Sequence, residues 1–148
     1  MSTNNGSTLV VQLQRLIDAP PEKVWPVAVG KIDEWLGISL SAGEVGARML
    51  IDVDMDNRYI MYGNVTAYDE PRELAFTWNE LDVSKRSVTT WDSHVSLTLE
   101  PQDGGTLVTL THAGFDHLPD AETQYRNYKM GWESLNDLNK LAEMCEAK

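Results

Sequence analysis

"DAETQYRNYKMGWESLNDLNKLAEMCEA" (residues 120–147) carries the periodicity that decides the fold. Apolar side chains recur there at Ala121, Tyr125, Tyr128, Trp132, Leu135, Leu138, Ala142 and Cys145, each three or four positions after the last. That spacing places them on one face of a helix of about 25 residues. An isolated helix is marginal in water, so a stripe this long needs a broad apolar surface to cover it. Asp120 is placed to cap the first turn, and Glu122 with Arg126 forms a favourable (i, i+4) pair on the outer face.

The covering surface lies upstream, where the period changes to two. Residues 9–17 read as a strand with Leu9, Val11, Leu13 and Ile17 on one face, and Arg15 shares that face. Residues 47–54 alternate with Met49, Ile51 and Val53 on one side. A turn at Asp56-Asn57 leads into a long strand over 58–68, closed by "YDEPRE". Leu74, Phe76 and Trp78 align on the next strand, and "ELDVSKR" reads as a polar connection containing Glu80 and Asp82. Residues 90–100 put Trp91, Val95, Leu97 and Leu99 on one side. "PQDGG" is a tight turn into a partner strand over 106–113, with Val108, Leu110 and His112 inward.

Between the first strand and this meander, "DAPPEKVW" reads as a helix start with Asp18 as cap and prolines in the first turn. Pro26 keeps that helix short, and a second short helix around 31–36 carries Trp35. The predicted architecture is α+β: a curved antiparallel sheet wrapped around a long C-terminal helix, with two short helices after the first strand.

Composition narrows the function. Hydrophobic residues make up 42% of the 148, enough for a packed core. The first eight, MSTNNGST, read as a polar tail, and residues 9–148 as one domain. The tail lacks the basic start and apolar run of a secretion signal, and no apolar run approaches the roughly 18 residues of a membrane span. A soluble, cytoplasmic protein without membrane insertion is expected. The formal charge of −11, from 12 Lys+Arg against 23 Asp+Glu, repels phosphate backbones and argues against nucleic acid as a partner. A single cysteine, Cys145, supplies neither an internal disulfide nor a thiolate cluster.

Four segments carry a family resemblance: "IDAPPEKVW", "GNVTAYDEPRELAFTW", "LEPQDGGTLVTLTHAGF" and "GWESLNDLNKL". In order and spacing they resemble the activator of heat-shock-protein-90 ATPase homologues. That family lies within the START, or birch-pollen-allergen-like (SRPBCC), superfamily. The resemblance spans residues 9–145 and implies a helix-grip fold with a cavity between sheet and helix. It also implies a spread of functions: lipid carriage, hormone reception, cyclase chemistry, and chaperone partnership in the stress response.

The cavity hypothesis names residues. Inward parity selects Met49, Ile51, Val65, Phe76, Trp78, Trp91, Val95, Leu97, Val108, Leu110 and His112 from the sheet. The helix offers Tyr125, Tyr128, Trp132 and Leu135. An apolar, aromatic wall with a few polar anchors suits a small hydrophobic ligand, although the same residues would equally fill a core. Ligand contacts are expected from Trp78, Trp91, Val95, Leu110, His112, Tyr125, Tyr128 and Trp132, without a cofactor. His112 is also the candidate acid or base of an alternative cyclase-, dehydratase- or hydrolase-type enzyme. A chaperone-linked interaction module is the third reading, and the protein is expected to be a monomer or homodimer. "HAGFDH" places His112, Asp116 and His117 in an H-x-x-x-D-H spacing that matches no standard zinc pattern, so no metal is expected. Arg15 reads as an ion-pair partner or a carboxylate anchor.

Overall fold

The computed structural model describes residues 9–54, 58–83, 86–116, 118, 120–135 and 137–146, with the side chains of 53–54, 58, 87–92 and 135 excepted. Seven strands form one sheet in the order β1-β7-β6-β5-β4-β3-β2. They are β1 (Val11–Ile17), β2 (Ser39–Leu40), β3 (Arg48–Asp54), β4 (Arg58–Asp69), β5 (Glu73–Asp82), β6 (Ser87–Gln102) and β7 (Gly105–Ala113). Every pairing is antiparallel. β3 to β7 are a meander, and β1 closes against β7 with Leu13 opposite Leu110. Helices α1 (Pro21–Ala28) and α2 (Ile32–Trp35) follow β1, and α3 (Ala121–Leu135) and α4 (Asp137–Glu146) follow β7. This is the helix-grip architecture. The C-terminal helical stretch, expected as one helix, is described as two segments on either side of position 136.

One face of the sheet makes the core because strand side chains alternate. Leu74, Phe76 and Trp78 are buried on β5, Ser93, Val95, Leu97 and Leu99 on β6, and Val108, Leu110 and His112 on β7. α4 lays Leu138, Leu141 and Ala142 onto that layer, packed against β1, α1 and α2. The expected turn at "PQDGG" is built by Asp103 and Gly104, at φ of 50° and 82°. Both sit in the left-handed region that two-residue hairpin turns require.

Burial outweighs capping in α1. Asp18 was the expected cap, but the helix begins at Pro21 with Pro20 as N-cap and no side-chain cap bond. Asp18 lies too early, and its backbone N–H instead donates to Glu146 Oε2 at 3.0 Å. A missing cap costs about 1 kcal/mol. Burying Val24 and Trp25 returns roughly 1.5–3 kcal/mol each, so tertiary packing holds the helix. The indole N–H of Trp35 donates to the Ala28 carbonyl at 2.9 Å, satisfying an acceptor at the helix end.

Two further expectations are corrected, and one short strand is added. Glu80 and Asp82 belong to β5 rather than to a connecting loop. The two-residue β2, too short to show alternation, pairs with Leu50 and Met49 of β3. Arg15 is exposed and donates to Asn139 Oδ1 at 2.6 Å, so its partner is an amide rather than a carboxylate. The expected turn residues Asp56 and Asn57 lie outside the described residues.

Gly63 is where the sheet leaves no room for a side chain. A Cβ there would sit 1.8 Å from the Thr77 carbonyl oxygen, a backbone atom of the neighbouring strand. Gly63→Ala is therefore expected to destabilise the fold by about 2 kcal/mol, as overpacking does. Urea unfolding followed by circular dichroism checks this; an unchanged midpoint would refute the close strand approach.

Candidate functional site

A cleft of about 660 Å³ lies between α3 and the β3–β5 half of the sheet. The sheet supplies Ile51, Tyr59, Met61, Trp78 and Glu80, and α3 supplies Gln124, Asn127, Tyr128, Gly131 and Trp132. Leu36 and Asp137 complete the lining. Strand alternation explains the sheet side: Tyr59 and Met61 share parity with Val65, and Trp78 and Glu80 share parity on β5. Pairing between β5 and β6 shifts register between Trp78 and Glu80, a type of irregularity that re-aims side chains.

Trp78 ties two hydrogen-bond chains together. In the first, its indole N–H donates to Tyr128 Oη at 3.2 Å, and the Tyr128 hydroxyl donates to Glu80 Oε2 at 2.6 Å. Burial and the adjacent Glu80 carboxylate push the Tyr128 pKa well above the usual phenol value, so it remains a donor. Burial also raises the Glu80 carboxyl; the Tyr128 hydrogen bond opposes that rise, and Asp82 adds to it.

The second chain runs through His112. Trp132 Nε1–H donates to His112 Nδ1 at 3.2 Å. An indole nitrogen only donates, so Nδ1 must be unprotonated, and the neutral ring carries its proton on Nε2. That proton reaches Ser93 Oγ at 3.1 Å, and the Ser93 hydroxyl donates to the Trp78 carbonyl at 3.1 Å. Both ring nitrogens are thus engaged by protein. Burial, helped by His94, pushes the His112 pKa down to about 3, which keeps the ring neutral. Aromatic rings surround it: Phe115 at 4.6 Å, Tyr128 at 5.1 Å and Trp78 at 5.2 Å between centroids. These separations lie within the range of favourable aromatic pairs.

The expected contact residues separate accordingly. Trp78, Tyr128 and Trp132 line the cleft. Val95, Leu110 and His112 are buried in the layer behind its wall. Tyr125 is half-buried and packs edge-on to Phe115 at 6.1 Å. The side chain of Trp91 lies outside the described residues. Asp116 is exposed while His112 is wholly buried, and His117 lies outside the described residues. Among the described residues, no three His, Cys, Asp or Glu side chains converge as a metal site. Cys145 is half-buried, and burial followed by Glu146 pushes its thiol up to about 11, so it stays protonated at neutral pH.

The structure adds Leu36, Tyr59, Met61, Gln124, Asn127, Gly131 and Asp137 to the lining. Tyr59 and Met61 were legible by extending the parity of Val65 back along β4. Gly131 carried a signal too: glycine inside a helix costs about 1 kcal/mol relative to alanine. Yet a Cβ at Gly131 would meet nothing within 4 Å, so close packing does not require it.

The model of the family described as "Activator of Hsp90 ATPase homolog 1-like protein" matches residues 18–146. The chain belongs to this family. Protein MLL2253 from Mesorhizobium loti, a solved structure, is similar at 30% identity and TM-score 0.69, covering 91% of this chain and 97% of that one. Two more distant structures share the fold. CalU16 from Micromonospora echinospora matches at 22% identity and TM-score 0.62, over 90% of this chain and 75% of its own. The Aha1 dimer from Colwellia psychrerythraea matches at 16% identity and TM-score 0.66, over 93% and 96%. The comparison with curated proteins returned no match. This member of the Hsp90 ATPase activator homologue family has, among its described residues, no helix long and apolar enough to cross a membrane.

Proposed function

We propose that this protein binds a small, largely hydrophobic molecule in the cleft between β3–β5 and α3. The binder would be cytoplasmic and work without a cofactor. One observation carries the proposal: a cleft of about 660 Å³ whose wall combines Leu36, Ile51, Met61, Trp78 and Trp132 with the hydrogen-bonded anchor Glu80–Tyr128. Drug-sized ligands occupy sites of this size and composition. Gly131 supports it, since a residue costly to the helix leaves space open on the cleft side. Trp78 and Tyr128 would bring flat contact area at low entropic cost.

Titration with the neutral dye Nile red tests this. Saturable one-to-one binding with a change in tryptophan emission is expected. Gly131→Phe, which projects a ring into the cleft, should weaken it about tenfold. Absence of saturable binding, or equal binding by Gly131→Phe, would overturn the proposal.

A chaperone-linked interaction module is the second reading, supported by the family description and the charge of −11. It requires a protein partner whose capture weakens with salt and is indifferent to Gly131→Phe. An enzyme using His112 as acid or base has first to free a ring nitrogen from Trp132 or Ser93.

A further inference from the structure

We propose that the cleft selects cationic amphiphiles, an apolar and preferably flat body carrying an ammonium group, with Glu80 as the residue that receives the charge. This rests on the ligand-binding reading of the cleft and names the class of molecule it would take.

The direction of each hydrogen bond at the anchor is fixed. The Trp78 N–H is committed to Tyr128, and the Tyr128 hydroxyl proton is committed to Glu80 Oε2. An ionised carboxylate has no proton to give and room for several donors. What this end of the cleft offers a ligand is therefore acceptor capacity on Glu80. The rest of the wall agrees in sign. Among the described lining residues none is Lys, Arg or His, and the second charged one is another carboxylate, Asp137. Lys140, on the same helix, is the cation that acts on Asp137. Beyond the cleft, the chain carries 23 acidic against 12 basic residues, so its field attracts cations and repels anions.

Binding sharpens the preference. A ligand seated against Trp78 and Trp132 strips water from Glu80. An uncharged body leaves that carboxylate without compensation, whereas an ammonium replaces the lost water with a charge-assisted hydrogen bond. A ligand carboxylate would place like charges together in a poorly solvated site.

Three probes sharing one body separate these cases by calorimetry at neutral pH: 1-naphthylmethylamine, 1-naphthylmethanol and 1-naphthoate. The amine is expected to bind about tenfold tighter than the alcohol, and the carboxylate weakest. Glu80→Gln, nearly isosteric, should bring the amine-to-alcohol affinity ratio close to one. Glu122→Gln removes the same charge from the outer face of α3 and should leave the ratio in place. Equal binding of amine and alcohol, or tighter binding of the carboxylate, overturns cation selection while leaving the cleft a binding site. A ratio that survives Glu80→Gln, or falls equally in Glu122→Gln, overturns the assignment to Glu80. If none of the three probes nor Nile red binds, the ligand-binding reading itself fails.

Discussion

Replacing Trp132 by alanine is expected to lower the stability of the fold by about 3 kcal/mol, near the lower end of the range for buried aromatic truncations. Trp132 is 7% exposed although it lines the cleft, so one side of its ring faces open space and loses less than a fully enclosed ring would. Two losses combine. The ring's contact with Trp78, 5.9 Å between centroids, disappears, and His112 Nδ1 is left as a buried acceptor without its donor. Trp132→Phe separates them: most apolar contact survives while the N–H does not, and a cost of about 1–2 kcal/mol is expected from the unsatisfied nitrogen alone. Met130, 62% exposed on the same helix, is the control, and Met130→Ala should change stability by less than about 0.5 kcal/mol. Urea unfolding followed by circular dichroism avoids the confounding loss of a fluorophore. Equal costs at Trp132 and Met130 would refute the packing of α3 on the sheet.

Acidification should destabilise the protein through His112, by roughly 2–3 kcal/mol between pH 7 and about pH 4.5. The folded-state pKa is near 3 against an ordinary 6.5, so the unfolded chain binds the proton more readily. The stabilisation is present in full above the unfolded value, falls as pH drops below it, and is exhausted near the folded value. Protonation would need Nδ1 to carry a hydrogen facing the Trp132 N–H, two donors with no acceptor between them. Glu80 and Asp137 act in the opposite sense, because their raised pKa values favour proton uptake by the folded state. Comparing wild type with His112→Gln isolates the histidine. The variant should show a clearly shallower loss of stability over this window. Parallel losses would show that the ring is not held neutral by the core.

The two predictions meet at residues whose positions the sequence discloses unequally. Inward parity on β7 assigned His112 to the buried face, and it is fully buried. Parity on β5 likewise assigned Leu74, Phe76 and Trp78 inward, and all three are core residues. Asp18 misled because a cap is a local preference worth about 1 kcal/mol, which the burial of Val24 and Trp25 overrides. Glu80 read as loop because polar residues follow Trp78, yet ladder pairing with Thr89 carries β5 past it. The three-four spacing of α3 placed Tyr128 and Trp132 on one face but did not separate cleft from core. That division depends on how far each side chain reaches across to the opposite layer.

Period two and period three-four are properties of single segments, set by backbone geometry and by which side of each segment avoids water. From them alone follow the α+β class, the antiparallel meander and the apolar face of the terminal helix. Tertiary structure decided which polar atoms meet. Trp132 and His112 are 20 residues apart, Tyr128 and Glu80 are 48, and Trp78 joins their chains from a third position. A hydrogen bond needs its donor and acceptor within about 3.2 Å, a condition that no periodicity along one strand or helix encodes. The sequence therefore placed His112 on the inward face. Only the packed fold decided that both its nitrogens are occupied, and that Glu80 lines the cleft.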